Sequence, residues 1–475
     1  MFVRLIDIMS EAVWSIPTVA LIALTGLWFT VKMRFLQITS FKEMLCVLRK
    51  NLFSGGKRRA IESISTALAA TVGTGSVSGV ATALTVGGPG AIFWLWVSAF
   101  LGMAVAYAEG VLSIKYRSGK KGGIMYSIHD GLKEPFAAAI YAAFTLLASF
   151  GMGSMAQTNA GAQAMSAEFS VKPLIIGIVF AIVAALCVFS RRDFTGKACS
   201  VFLPVLSGAY ICVTLWVIIV NYKNIPSAFE MIISSAFGLR PIAGGAAGYA
   251  VKQAISTGFK RGIFSNEAGL GTTAAIHAEA QGISPHEQGL MNMFEVITDT
   301  FIICTLTALC ILTSGAQGLG LDGAELVTTA CKTAFGSISG KIVAISICGF
   351  SLATVMGWSK IGLGAADYLG GKVRIALYKL AYVAAAFAGS VISLDTVWKI
   401  SDIFNGMMIF PCTAALILLR KEIVRAGEKE NYSRPVEPKP FSPRSDEGSS
   451  SASHTSGKIT GVTTICANRS PGSKT

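Results

Sequence analysis

The sequence predicts an all-α, polytopic membrane protein of about eleven transmembrane helices: a ten-helix core of two inverted five-helix halves, preceded by one extra amino-terminal helix. Three observations predict it. Apolar runs long enough to cross a hydrocarbon core of roughly 30 Å recur along the chain. Each cluster of basic residues follows an odd-numbered run. Two of the runs are interrupted by glycine-punctuated polar stretches, and the interruptions fall in corresponding places.

Apolar residues make up 52 % of the 475 residues and charged residues only 14 %, a balance unlike that of soluble domains. The spans read from hydropathy cover 13–31, 63–86, 91–114, 136–165, 173–189, 201–220, 245–275, 290–312, 342–366, 375–394 and 397–418. The first begins after Arg4, Asp7 and Glu11. It is too long for a signal-peptide core and ends without a small-residue cleavage motif, so it reads as a true span. Three regions result: 1–62, a helix and basic loop; 63–425, the ten-helix core; and 426–475, a tail. The tail is rich in Ser, Pro, Gly, Lys and Glu and includes Ser449, Ser450 and Ser451. It has too little apolar surface to order itself and is predicted to be disordered.

Positive charge sets the orientation. Lys32, Arg34, Lys42, Arg49, Lys50, Lys57, Arg58 and Arg59 follow the first span, and Lys115, Arg117, Lys120 and Lys121 the third. Arg191, Arg192 and Lys197 follow the fifth, Lys372 and Arg374 the ninth, and Arg420, Lys421 and Arg425 the last. All these loops lie on one side, which the positive-inside rule makes cytoplasmic, with the amino terminus outside and the carboxyl terminus inside. The membrane expected is a bacterial or archaeal cytoplasmic membrane. The net charge of +14 is therefore a topology signal and implies no nucleic-acid partner. The ten cysteines show neither metal-type spacing nor a disulfide framework and read as packing residues.

The interruptions carry the functional argument. The first is Gly73-Thr74-Gly75-Ser76-Val77-Ser78-Gly79, the second Ser265-Asn266-Glu267-Ala268-Gly269-Leu270-Gly271-Thr272. Lipid tolerates an unwound backbone only where the freed groups face protein or a watery cavity. With the extra helix set aside, the breaks fall in the first and sixth core spans, and halves of five spans must run in opposite directions. A restarting helix points free amides at an anion, and an ending one offers carbonyls to a cation. One break can thus hold a carboxylate and a sodium ion together. Spaced glycines alone also serve close helix packing; the matching second break favours binding.

Other polar residues sit at membrane depth. Glu267 either pairs with Lys260 or Arg261 or contacts substrate, since an unpaired charge there is costly. Gln157 and Asn159 lie in the fourth span. Glu295 and Asp299 are four apart and share one helix face, but Glu295 lies near the predicted cytoplasmic end and reads as solvated. Thr354 and Trp358, also four apart, place a hydroxyl beside a flat apolar wall. That pair suits a cation and a small side chain, or equally an interhelical bond with core packing.

Catalysis finds no support. His277-Ala278-Glu279 has the local form of a zinc-deaminase motif without the Cys-x-x-Cys that completes it, and His286 with Glu287 reads as a polar loop. There is no Gly-x-Ser-x-Gly elbow and no phosphate-binding loop. No catalytic residue, resident metal or cofactor is expected.

At the same residues the chain resembles the alanine or glycine:cation symporter family, also called sodium:alanine symporters. The resemblance includes Val72-Gly73-Thr74-Gly75, Gly79-Val80-Ala81-Thr82-Ala83, Gly87-Gly88-Pro89-Gly90-Ala91-Ile92-Phe93-Trp94, Arg261-Gly262-Ile263-Phe264-Ser265-Asn266-Glu267-Ala268-Gly269 and Gly357-Trp358-Ser359. It extends from about residue 10 to about residue 425. It implies a leucine-transporter-type fold that moves alanine or glycine inward with sodium. By position, Gln157 resembles the family's substrate-contacting glutamine, and Thr354 and Trp358 its threonine and tryptophan lining the amino-acid pocket. Thr74 and Gly75 fall in the unwound part of the first core helix, and Asn266 to Gly271 in that of the sixth. The chain departs from the family where Ser76 and Ser154 replace the usual asparagines and Cys412 follows Pro411 where Asn is usual. Lys360, Ile361 and Leu363 stand where an aromatic pair and Glu are expected.

The expectation is a sodium-coupled symporter importing D- and/or L-alanine or glycine by alternating access. Substrate would meet Thr74, Gly75, Gln157, Asn266, Gly269, Thr354 and Trp358, and the co-transported sodium ion Gly73, Ser76 and Thr354. Sodium is preferred because the breaks offer many neutral oxygens. The partners implied are the amino acid, sodium and membrane lipid. The alternatives are a proton-coupled transporter of another small amino acid, which Glu267 allows, and a channel or sensor of related fold.

Overall fold

The computed structural model describes residues 2–53, 73–119, 121–190, 194–238, 245–278, 280 and 282–428. The start of the second predicted span, most of the predicted tail, and Lys57, Arg58, Arg59, Lys120, Arg191 and Arg192 lie outside those residues. Among the described residues all regular elements are helices, apart from one isolated bridge between Ser118 and Lys121.

Among the described residues, eight helices are long and apolar enough to cross a membrane: Ile6–Lys32, Gly90–Lys115, Pro135–Phe169, Phe202–Val220, Pro285–Ser314, Ser337–Leu369, Lys372–Val391 and Leu394–Leu418. Each overlies a span predicted from hydropathy, and two shorter apolar helices, Gly75–Gly87 and Pro173–Phe189, overlie two more. The helix Gly245–Asn266 covers another but carries Lys252, Lys260 and Arg261 among its apolar residues. Proline in the first turn starts several of these helices, as at Pro135, Pro173 and Pro285, and Pro17 starts the Ile16–Lys32 part of the first, where its missing N–H costs nothing.

The helix Gly90–Lys115 runs through the interior, packed against Pro285–Val296 on one side and Gly245–Asn266 on the other. Glycine lets them approach: a Cβ at Gly289 would lie 2.6 Å from the Tyr107 ring, and one at Gly258 would lie 2.5 Å from the Ala91 carbonyl. Helices in lipid associate through such close seams because burial of apolar groups supplies no driving force there. The outer faces are apolar, with Ile175, Ile178, Ile182 and Leu186 on one helix and Leu377 and Leu380 on another all exposed. That is the surface a bilayer covers.

One polar assignment changes. His286 is not in a loop: Ser284 and Glu287 form a capping box that starts the helix at Pro285, and buried His286 places Nδ1 2.7 Å from the Tyr107 hydroxyl. The cap begins this helix more than a turn before its apolar run. Cysteine spacing also concealed one proximity, for the buried Cys310 and Cys331 thiols lie 3.7 Å apart.

A buried charge cluster ties the helix Gly245–Asn266 to Leu394–Leu418. Arg261 donates to both Asp402 oxygens at 3.2 and 2.9 Å, Lys260 Nζ lies 2.6 Å from Asp402, and the Arg261 guanidinium stands 4.0 Å from the Trp398 ring. Trp14 Nε1 donates to the Asp402 carbonyl at 2.8 Å, which anchors the amino-terminal helix to the same point. Asp402→Ala strands two cations in this cluster. It is expected to lower stability by about 3–5 kcal/mol, read as a fall in the melting midpoint in detergent. Asp367→Ala, whose bond to Lys121 is exposed, should shift stability by less than about 1 kcal/mol.

Candidate transport site

The second interruption is a true break. The helix stops at Asn266, Glu267 takes φ 56°, Gly269 and Gly271 take φ 91° and 78°, and a helix resumes at Thr272–His277. Glycine enters this left-handed region without penalty and glutamate does not. Glu267 is held there by two donors, the Thr272 hydroxyl and Trp358 Nε1, the latter at 3.2 Å. It pairs with neither Lys260 nor Arg261, both of which are bound to Asp402, because the chain leaves the helix before Glu267 and turns its carboxylate away from them.

The amides released by this break already have an acceptor. Gly269 N and Gly271 N both donate to Glu109 Oε1 at 2.9 Å, the Thr273 hydroxyl donates to Oε2 at 3.0 Å, and the Cys412 thiol lies 3.4 Å from Oε1. Tyr141 donates to the Leu270 carbonyl at 2.7 Å. Glu109 comes from the last third of the helix Gly90–Lys115 and is fully buried. Sequence reasoning passed over it, although a carboxylate within an apolar run, Ala108-Glu109-Gly110, was the signal available. It also locates one departure from the family pattern, since Cys412 touches this carboxylate.

The first interruption differs from the expectation. Gly75–Gly79 is wound as a π-helical turn continuous with Val80–Gly87, with Gly73 and Thr74 standing before it. The wide turn closes through Gly79 N donating to the Thr74 carbonyl at 3.1 Å, five residues back. Such a bulge loosens the ladder without unwinding it, and π-bulges are frequent at functional sites. Thr74 donates its hydroxyl to Gln157 Oε1, while Gln157 Nε2 donates to the Met152 carbonyl at 2.9 Å. Ser76 Oγ donates to the Gly73 carbonyl at 2.9 Å. A Cβ at Gly73 would lie 3.6 Å from Thr354 Oγ1, so Gly73, Ser76 and Thr354 do come together.

The two breaks touch. A Cβ at Gly75 would lie 2.8 Å from Ser265 Cα. Beside this contact is a cavity whose lining includes Asn266, Glu267, Glu295, Asp299, Thr354 and Trp358. The predicted site residues Asn266, Thr354 and Trp358 therefore share one hollow, while the Gly269 amide faces Glu109. Trp358 is seated on Gly153, where a Cβ would come within 2.6 Å of it. Glu295 is not solvated: it is buried and lies 2.9 Å from His277 Nε2, because the resumed helix brings His277 over it. Asn159 donates to the Gly389 and Ile392 carbonyls at 2.8 Å and so caps a helix end outside the cavity. Among the described residues, no Lys or Arg forms an ion pair with Glu109, Glu267 or Asp299.

Glu109→Ala strands the Gly269 and Gly271 amides, at about 1–3 kcal/mol for each buried donor left unpaired. A clearly lower melting midpoint in detergent is expected. Cys412→Ala removes only a weak thiol contact and should leave the midpoint within a few degrees of the parent.

The model of the sodium:alanine symporter family matches residues 1–439. A Methanococcus maripaludis protein named sodium/alanine symporter AgcS is 38 % identical over 454 residues, covering 92 % of this chain and 99 % of that one. A Haemophilus influenzae protein described as an uncharacterized transporter is 38 % identical over 429 residues, covering 88 % and 94 %. A Bacillus subtilis protein named probable sodium/glutamine symporter GlnT is 33 % identical over 432 residues, covering 89 % of each chain. The matches run through both breaks and nearly end to end in both directions. This multi-pass membrane protein is a transporter and belongs to the sodium:alanine symporter family.

Proposed function

We propose that the protein imports alanine or glycine with sodium by alternating access, through a core of ten helices in two inverted halves over 63–425. In this reading the amino terminus is outside and the carboxyl terminus cytoplasmic. The observation that carries the proposal is the contact of two helix breaks, Gly75 on Ser265, beside a cavity walled by Trp358.

The amino acid's carboxylate is assigned to the first break, at Gly73 to Ser76, because Glu109 already occupies the amides of the second. Its ammonium group faces the end of the helix at Asn266, where the last carbonyls have no following turn to bond. Gln157 orients the Thr74 hydroxyl, and Gly269 contributes by shaping the break. Trp358, tethered by Glu267 and packed on Gly153, limits side-chain size and favours alanine and glycine over larger substrates. Sodium is assigned to the Gly73 carbonyl with Thr354 and Ser76. A second reading, proton coupling, draws on Glu267 and Asp299, cavity carboxylates with no Lys or Arg partner among the described residues.

Radiolabelled alanine uptake into proteoliposomes should follow an imposed sodium gradient and stop when choline replaces sodium. Uptake that ignores sodium and follows a pH step instead rejects sodium coupling. Trp358→Ala should reduce alanine uptake about tenfold, equivalent to about 1.4 kcal/mol, or admit larger amino acids; unchanged rate and selectivity remove Trp358 from the site. Gln157→Ala, which breaks the bond to Thr74, should lower uptake roughly 2- to 10-fold at equal membrane abundance.

A further inference from the structure

We infer that the elbow joining the membrane-length helix Ile6–Lys32 to the helix Phe41–Phe53 is a binding site for an anionic phospholipid, with a basic strip for the headgroup and an apolar strip for the acyl chains. The inference is independent of the substrate and of the coupling ion.

The elbow is held in a fixed shape. The first helix ends at Lys32, Arg34 and Phe35 take φ of 55° and 56°, and one helical turn, Leu36–Thr39, leads into Phe41–Phe53. Two consecutive non-glycine residues in the left-handed region are costly and persist only where their surroundings hold them. Here the Phe35 amide donates to the Thr30 carbonyl at 2.7 Å. Buried Gln37 donates to the Thr30 hydroxyl at 2.6 Å and to the Phe100 carbonyl at 3.1 Å. At the far end Lys50 lies 2.9 Å from Glu287, in the first turn of the helix that starts at Pro285.

Helical periodicity sorts the side chains of Phe41–Phe53 into sectors, since successive residues lie about 100° apart. Met44 and Val47 turn inward and are buried. The outward arc begins with Phe41 and Leu45, one turn apart, and continues into Arg49 and Lys42, all four exposed. Exposed Phe35 and Ile38 extend the apolar strip back to the elbow, and exposed Lys32 and Arg34 extend the basic one. Among the described residues, none of Lys32, Arg34, Lys42 and Arg49 forms an ion pair.

Water suits the cations and hydrocarbon suits the apolar strip, and a helix carrying both side by side belongs at the boundary between them. Its place at the end of a membrane-length helix puts it there. Unpaired guanidinium and ammonium groups complement a phosphodiester, and a headgroup of net negative charge leaves that attraction uncancelled. Charge also decides against other occupants. A second copy offering the same face would set these cations against their equals, which is costly. The carboxyl-terminal residues 429–475 carry more Lys and Arg than Asp and Glu and are repelled likewise.

The test uses the full-length protein purified in detergent. Its melting midpoint is titrated with phosphatidylglycerol, with phosphatidylcholine as the zwitterionic counterpart and with glycerol phosphate as the headgroup without chains, and native mass spectrometry records retained lipid and the number of copies. Phosphatidylglycerol should stabilise the parent at a concentration at least tenfold below phosphatidylcholine, and glycerol phosphate should not stabilise it. Lys42→Gln combined with Arg49→Gln should raise the half-saturating phosphatidylglycerol concentration at least tenfold, from roughly fivefold for each basic residue. Phe41→Ser combined with Leu45→Ser should raise it severalfold. Lys223→Gln combined with Lys341→Gln removes the same charge from exposed positions elsewhere and should leave it within twofold of the parent. If the Lys42 and Arg49 pair has no greater effect than the Lys223 and Lys341 pair, only bulk charge acts and the inference is wrong; should the double variant fail to fold, Lys42→Gln alone decides by the same comparison with Lys223→Gln. Stabilisation by glycerol phosphate equal to that by phosphatidylglycerol makes the elbow a site for free phosphate and rejects the lipid. A parent that forms a dimer retaining no phosphatidylglycerol makes the face an interface between copies and rejects it as well.

Discussion

The structure depends on one constraint, that peptide groups leaving a helix inside a bilayer must find partners within the protein. At the second break, Glu109 from a neighbouring helix accepts two glycine amides and a threonine hydroxyl, while Tyr141 donates to a carbonyl. At the first, a π turn retains most of the ladder, and Ser76 and Thr74 cover what it loosens. The breaks thus receive unlike treatment. One is satisfied by the carboxyl group of a buried glutamate, Glu109, and the other by the hydroxyl groups of Thr74 and Ser76.

The surrounding helices hold that arrangement by close seams and one charge cluster. Glycines at 258 and 289 let neighbours approach the central helix to backbone distance. Asp402 gathers Arg261, Lys260 and Trp14 at one point, so three helices converge one turn from the second break. By engaging both cations, Asp402 leaves the cavity acidic. The polarity of the site is therefore set partly by residues that do not line it.

Much of this could be read along the chain. Hydropathy located the spans because a helix facing lipid on one side and helices on the other must be apolar nearly all round. Closely spaced glycines marked both interruptions, for different reasons: Gly269 and Gly271 take positive φ, whereas a side chain on Gly75 would collide with Ser265. Thr354 and Trp358 were legible as a pair because four residues bring side chains to one helix face. Glu109 was not legible as the acceptor for Gly269, since it lies 160 residues away and no local pattern links them. The bond between His277 and Glu295, and Asp402 as the partner of Lys260 and Arg261, were not legible for the same reason: the partners are close in space and not in a local sequence pattern.

The sequence by itself determined the helical membrane class of the protein, the apolar segments that overlie its eight membrane-length helices, and the two glycine-rich stretches where helical winding is irregular, because these follow from local sterics and from transfer of side chains into lipid. Tertiary structure alone decided which carboxylate faces which donor, which break is already satisfied and which remains open. Those pairings join distant helices through directional bonds of about 3 Å, and only the packed bundle sets them.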